Sequence, residues 1–176
     1  MGRCEVAGGS FRRINNLTRE GLMRILVDAD ACPVKDIIEE VARSMQIPVT
    51  MFIDTSHILT SDYSEIVMVS KAPDAVDFAL INRSNRGDII ITQDYGVGAM
   101  ALGKGAYAIH PNGKVYTNEN IEVMLMERDI AKKRRRAGDR IRGRSRKRTS
   151  DDNDRFREAF LRVCYKAINS KKDEDS

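Results

Sequence analysis

The chain has 176 residues, 41% of them hydrophobic, and 30 Lys and Arg stand against 26 Asp and Glu for a net charge of +4. That length predicts one core domain with room for an appendage. No stretch approaches the roughly 18 apolar residues of a membrane span, no apolar run ahead of a small-residue cleavage site marks a secretory leader, and the scattered Cys4, Cys32 and Cys164 exclude a disulfide framework and a thiolate zinc site.

Residues 1–22 carry no clean period and read as a disordered N-terminal extension. From Met23 on, apolar runs alternate with helical periods. Residues 24–28, RILVD, predict a first buried strand that ends in a carboxylate. Residues 33–46 predict a helix, with Val34, Ile37, Ile38, Val41, Ala42 and Met45 on one face. Strands follow at 48–53 and 65–70, then a helix over 74–82 opened by Pro73. A fourth strand is expected at 88–92, a short helix at 96–102, and a fifth strand at 106–110. A Pro-Asn-Gly turn leads into 114–116, and a long helix runs over Asn118–Arg136. Residues 137–150 lose the apolar period and read as a basic flexible segment. Residues 151–170 then form a C-terminal helix, with Phe156, Phe160 and Val163 at helical spacing and a last stretch, KKDEDS, expected to fray. This order predicts an α/β fold, a three-layer sandwich with a mostly parallel central sheet and added C-terminal helices. The α/β domain itself spans residues 23–136.

In such a sheet, ligands bind beyond the carboxyl ends of the strands. Asp28 and Asp30 follow the first strand, Asp94 follows the fourth, and Asp74 and Asp77 share a helix face after the third. Five carboxylates from three segments therefore aim at one rim. Like charges crowded there repel, so the cluster calls for a cation or raised pKa values. Oxygen donors without Cys or His suit Mg²⁺ or Mn²⁺. Each position has a plainer reading: Asp28 as a turn residue, Asp30 and Asp74 as helix caps, Asp94 as part of a turn. His57 and His110 lack metal-ligand spacing and read as surface or core residues. Cys32 reads as a buried small apolar residue. Gly96 and Gly98 form GxG but neither a dinucleotide nor a phosphate-loop signature.

Charge is distributed unevenly. Residues 1–127 hold 17 acidic against 12 basic residues, while residues 128–148 hold 12 basic and 2 acidic. Lys132, Lys133, Arg134, Arg135 and Arg136, with Arg144 and Arg146 beyond them and Lys71 at the rim, are candidates for pairing with phosphates. Without interleaved aromatics, such binding is electrostatic and salt-sensitive.

The motifs VDADACPVKD, KAPDAVDFAL, DIIITQDYGVGAMALGKGA and TNENIEVMLMERD, in that order over residues 23–160, resemble the YaiI/YqxD family of uncharacterised bacterial proteins. That family looks like a member of the PIN-like superfamily, whose domains are often metal-dependent nucleases. The resemblance implies that Asp28 and Asp94 are catalytic. It also implies that Asp28, Asp74, Asp77 and Asp94 hold metal, with Asp74 in a Lys71-x-x-Asp74 arrangement like that of the NYN branch and Thr92 as a supporting hydroxyl. Asp30 belongs to the family's own motif. Where some members carry Gly-Pro-x-Pro-Phe before the last helix, this chain has TSDDNDRF. The expectation is a Mg²⁺- or Mn²⁺-dependent nuclease-like protein acting on RNA in the cytoplasm. Its rivals are a non-catalytic RNA-binding module and a haloacid-dehalogenase-like phosphatase using Asp28 and Asp30.

Overall fold

Strand β1, Ile25–Asp28, is the centre of the sheet because its apolar residues are buried on both faces. It pairs in parallel with β2, Val49–Asp54, on one side and with β4, Ile89–Ile91, on the other. Strand β3, Glu65–Val69, flanks β2, and β5, Tyr107–Ile109, flanks β4. Antiparallel β6, Val115–Tyr116, closes the edge, for an order β3-β2-β1-β4-β5-β6. The computed structural model describes residues 23–138 and 146–174; the expected extension over 1–22 and Arg144 lie outside the described residues.

The connections follow the right-handed rule for parallel crossovers. Travelling outward from β1 to β2, the chain places α1, Lys35–Ser44, on one face. Returning through β4 to β5, it places α2, Ala75–Arg83, and α3, Tyr95–Gly103, on the other. Side-chain alternation along the strands then makes two cores. Ile25, Val27, Met51, Ile53, Ile89 and Ile91 pack against α1 and against α5, Ser150–Glu174. Leu26, Phe52, Ile90 and Ala108 pack against α2, α3 and α4, Asn118–Arg136. This is the three-layer α/β sandwich with a mostly parallel sheet, and α5 docks on its own chain through stacked Phe156 and Phe160. Among the described residues, no helix is long and apolar enough to cross a membrane.

Boundaries shift by a residue or two at several element ends. Strand β4 is shorter than expected, although backbone bonds to β5 continue at both ends, from the Tyr107 N–H to the Asp88 carbonyl at 2.8 Å and from the Thr92 N–H to the Ile109 carbonyl at 3.2 Å. Asp88 is buried and accepts hydrogen bonds from the Arg24 and Asn85 N–H groups and the Arg24 guanidinium at 2.9–3.0 Å, tying together the amino ends of β1 and β4. Helix α1 starts two residues later than Pro33, with Val34 as its cap. Helix α4 matches its expected span and opens on a reciprocal Thr117–Asn120 capping box. Helix α5 runs to Glu174, beyond the expected 170 and through part of the stretch expected to fray.

Candidate metal centre

Strand order reverses between β1 and β4, which opens a crevice at their carboxyl ends. Asp28 ends β1 at this point, and Thr92 just past β4 donates its hydroxyl to Asp28 Oδ2 at 3.3 Å. Thr92 Oγ1 in turn accepts the Asp94 main-chain N–H at 3.0 Å, so one hydroxyl ties the Asp28 carboxylate to the backbone of Asp94. Asp94 caps α3, its Oδ1 accepting the Val97 N–H at 3.0 Å. The two neighbouring glycines have a packing explanation. A Cβ at Gly96 would lie 2.9 Å from Asp94 Oδ1, and one at Gly98 would lie 3.0–3.3 Å from the buried Tyr116 ring.

Asp74 stands at the start of α2 with a left-handed φ of 60° and makes no capping hydrogen bond. The cap reading therefore does not account for it, and its carboxylate stays exposed. Asp77, one turn on, is half-buried. Burial, and then the charges of Asp94, Asp28 and Asp74, push its carboxyl from 3.8 up to about 6. Asp28 is also raised, by burial first and by Asp30 and Asp94 after it, with the Thr92 hydrogen bond opposing. The four carboxylates of β1, α2 and the β4–α3 turn thus share one electrostatic field.

Asp30 faces a different way. Its two oxygens accept the Asp54 N–H at 3.2 Å, and it caps no helix. His57 Nδ1 lies 3.1 Å from Asp30 Oδ1 and 3.2 Å from Asp54 Oδ1. Among the described residues, Asp30, Asp54 and His57 are the group whose ligand atoms fall within 4.8 Å of one another; Asp28, Asp77 and Asp94 do not close to that distance. Asp54 escaped the sequence reading, although VTMFID ends in a carboxylate as ILVD does. His57 has Asp54 three residues before it at the end of β2, while Asp30 comes from the turn after β1.

The remaining candidates divide by position. Lys71 is exposed, as are Lys132, Lys133, Arg134, Arg135 and Arg136 at the end of α4. Arg146 is held by Asp152 at 2.7 Å, and Arg148 Nε donates to Asn153 at 2.6 Å. The charge of Arg148 is felt at both Cys32 and His110, so the basic segment returns near the carboxyl edge of the sheet. Arg128 on α4 reaches the same edge, its Nη1 3.9 Å from the Cβ position of Gly96. Cys32 is buried, and burial pushes its thiol up.

The model of the uncharacterised YaiI/YqxD family matches residues 26–166. The chain belongs to the YaiI/YqxD family. A UPF0178 protein of Clostridium acetobutylicum is 61% identical over 145 residues, 82% of this chain and 98% of that protein. A UPF0178 protein of Lachnoclostridium phytofermentans is 59% identical over 150 residues, 84% of this chain and 100% of that protein. Among solved structures, a mutant of Rae1 (YacP) from Bacillus subtilis matches with a TM-score of 0.40 and 17% identity, covering 69% of this chain and 87% of that one. For this YaiI/YqxD protein, the motif VDADACPVKD carries both acidic clusters' first members, Asp28 and Asp30, on opposite sides of one turn.

Proposed function

We propose that this YaiI/YqxD protein is a Mg²⁺- or Mn²⁺-dependent nuclease-like enzyme that cleaves single-stranded RNA in the cytoplasm at the crevice between β1 and β4. The observation that carries the reading is the crowding of acid at that crevice: burial first, and then neighbouring carboxylates, raise both Asp28 and Asp77. An all-oxygen set that resists full ionisation fits a hard divalent cation, which removes the repulsion. When bound, the ion supplies a polarised water and offsets charge on a phosphate oxygen.

The chain's own residues do the rest. Thr92 fixes the Asp28 carboxylate, and the Asp94 main-chain N–H lies on the same hydroxyl. Asp77, pushed up to about 6 by burial and by Asp94, Asp28 and Asp74, completes the acidic set whose repulsion a cation would relieve. Asp74, with its carboxylate uncapped, is the fourth donor to the rim. The exposed Lys71 and the cations at the end of α4 recruit the phosphate backbone. Asp30 is committed to Asp54 and His57, which leaves it poorly disposed to serve as the proton donor of a phospho-aspartyl enzyme.

Mn²⁺ titrated against labelled single-stranded RNA tests the reading. Metal-dependent cleavage is expected, with at least a hundredfold loss in the Asp28→Asn, Asp94→Asn double variant. Cleavage unchanged in that variant overturns it. Salt-sensitive RNA binding with no turnover assigns the protein to the non-catalytic class, and a trapped phosphoryl group on Asp28 assigns it to the phosphatases.

A further inference from the structure

Among the described residues, helix α4 packs one side against the body and leaves the other uncovered. Ile121 and Met124 are buried under the α3 layer, which fixes the inward side of the helix. At 100° per residue, Val123, Met126 and Ile130 fall on the opposite side, and they are 54%, 66% and 51% exposed. From Met126 to Arg136, every residue except Ala131 is exposed. The second half of α4 therefore stands clear of the body. A half-helix of that kind is marginal alone, and five consecutive cations, Lys132 to Arg136, repel one another along it.

The charges beside this stripe are ordered along the helix. Glu119 continues the stripe at its amino end, with Glu122 and Glu127 flanking it. Lys133 and Arg134 bracket its carboxyl end. We infer that this face is the two-fold interface of a homodimer in which α4 packs antiparallel against α4 of a second copy. In a register centred between Met126 and Glu127, Val123 of each copy meets Ile130 of the other, and Glu119 meets Arg134. One face is thus complementary to itself, which is what an isologous interface requires. An antiparallel helix pair with an apolar seam and oppositely charged borders is also a favoured packing of helices. A phosphate backbone suits the stripe poorly, because Val123, Met126 and Ile130 offer it nothing and three glutamates repel it. Lys132, Arg135 and Arg136 lie to the side of the seam and stay free for nucleic acid.

Sedimentation velocity on the full chain at micromolar concentration tests this without reference to catalysis. The wild type is expected at the mass of two chains, and Met126→Glu at the mass of one with an unchanged helical circular dichroism spectrum. Glu119→Arg and Arg134→Glu are each expected to weaken dimerisation at least tenfold, and the double reversal to recover most of the loss. A wild type that stays monomeric, or a Met126→Glu variant that stays dimeric, overturns the inference. So does a monomer in which Met126→Glu abolishes RNA binding, which would give the stripe to nucleic acid.

Discussion

Asp77 is the residue at which the acidic rim is measurable in the protein alone. Its carboxyl rises from 3.8 to about 6 on folding, so the folded state binds the proton more tightly than the unfolded chain. Below pH 4 both states carry the proton and the site costs nothing. Above pH 6 both are ionised, and the folded state bears the whole cost of the half-buried charge. Asp77→Asn is therefore expected to raise stability by about 1 kcal/mol at pH 7.5, discounted for solvent screening, and by nothing at pH 3.5, as read from urea midpoints in EDTA. Mg²⁺ reverses the sign if Asp77 faces the ion, because the cation then favours the carboxylate that the variant lacks. An Asp77→Asn gain that is equal in EDTA and Mg²⁺ removes Asp77 from the ligand set. This residue was visible in the sequence as a charge on a helix between Val76 and Phe78, but its surroundings were not. Phe78 is 61% exposed and leaves Asp77 to face Asp28 and Asp94, which arrive from 49 and 17 residues away in the chain. His57 shows the same limit: Asp54 lies three residues before it, but Asp30 joins the pair only because β1 and β2 run side by side.

The elements themselves were legible because their periods are strong. Four strands read as near-continuous apolar runs, as strands buried on both faces must, and α4 carries its start signal in Thr117 and Asn120. The ends were less legible. Nothing local in DIIIT says that the Asp88 side chain holds Arg24, and nothing in KAPD says that Asp74 adopts a left-handed backbone without capping. Helix α5 was legible as an amphipathic segment but not as a layer of this core. It supplies Phe156 and Phe160, stacked with centroids 5.4 Å apart and both fully buried in a helix that packs on α1, β4 and β5. Phe160→Ala is expected to cost about 3–5 kcal/mol in urea unfolding, the range for emptying a buried aromatic site. The loss is expected to be independent of protein concentration, since α5 docks on its own chain. A cost below about 1 kcal/mol, or one that grows on dilution, would place α5 on another molecule.

At the scale of the whole molecule, charge separates from fold. The acidic residues concentrate in the α/β body, where they crowd the carboxyl edge of the sheet, and the cations concentrate in residues 128–148. The two regions meet at that edge, because Arg128 sits behind Asp94 and Arg148 is felt at Cys32 and His110. Under the proposed function, a strand of RNA drawn in by the cations would be delivered to the carboxylates only while its phosphates out-compete salt. Binding of single-stranded RNA should therefore weaken linearly in log–log form as salt rises. Lys132, Arg135 and Arg136 are exposed on α4 and make no ion pair that would mask them among the described residues. If each neutralises one phosphate, the triple Gln variant reduces the slope by about 2, at roughly 0.7 per single-strand contact. Fluorescence anisotropy with Ca²⁺ or EDTA in place of Mn²⁺ separates this effect from cleavage. An unchanged slope would move the phosphate contacts elsewhere on the chain and would break the link between the basic end of α4 and the crevice at Asp28.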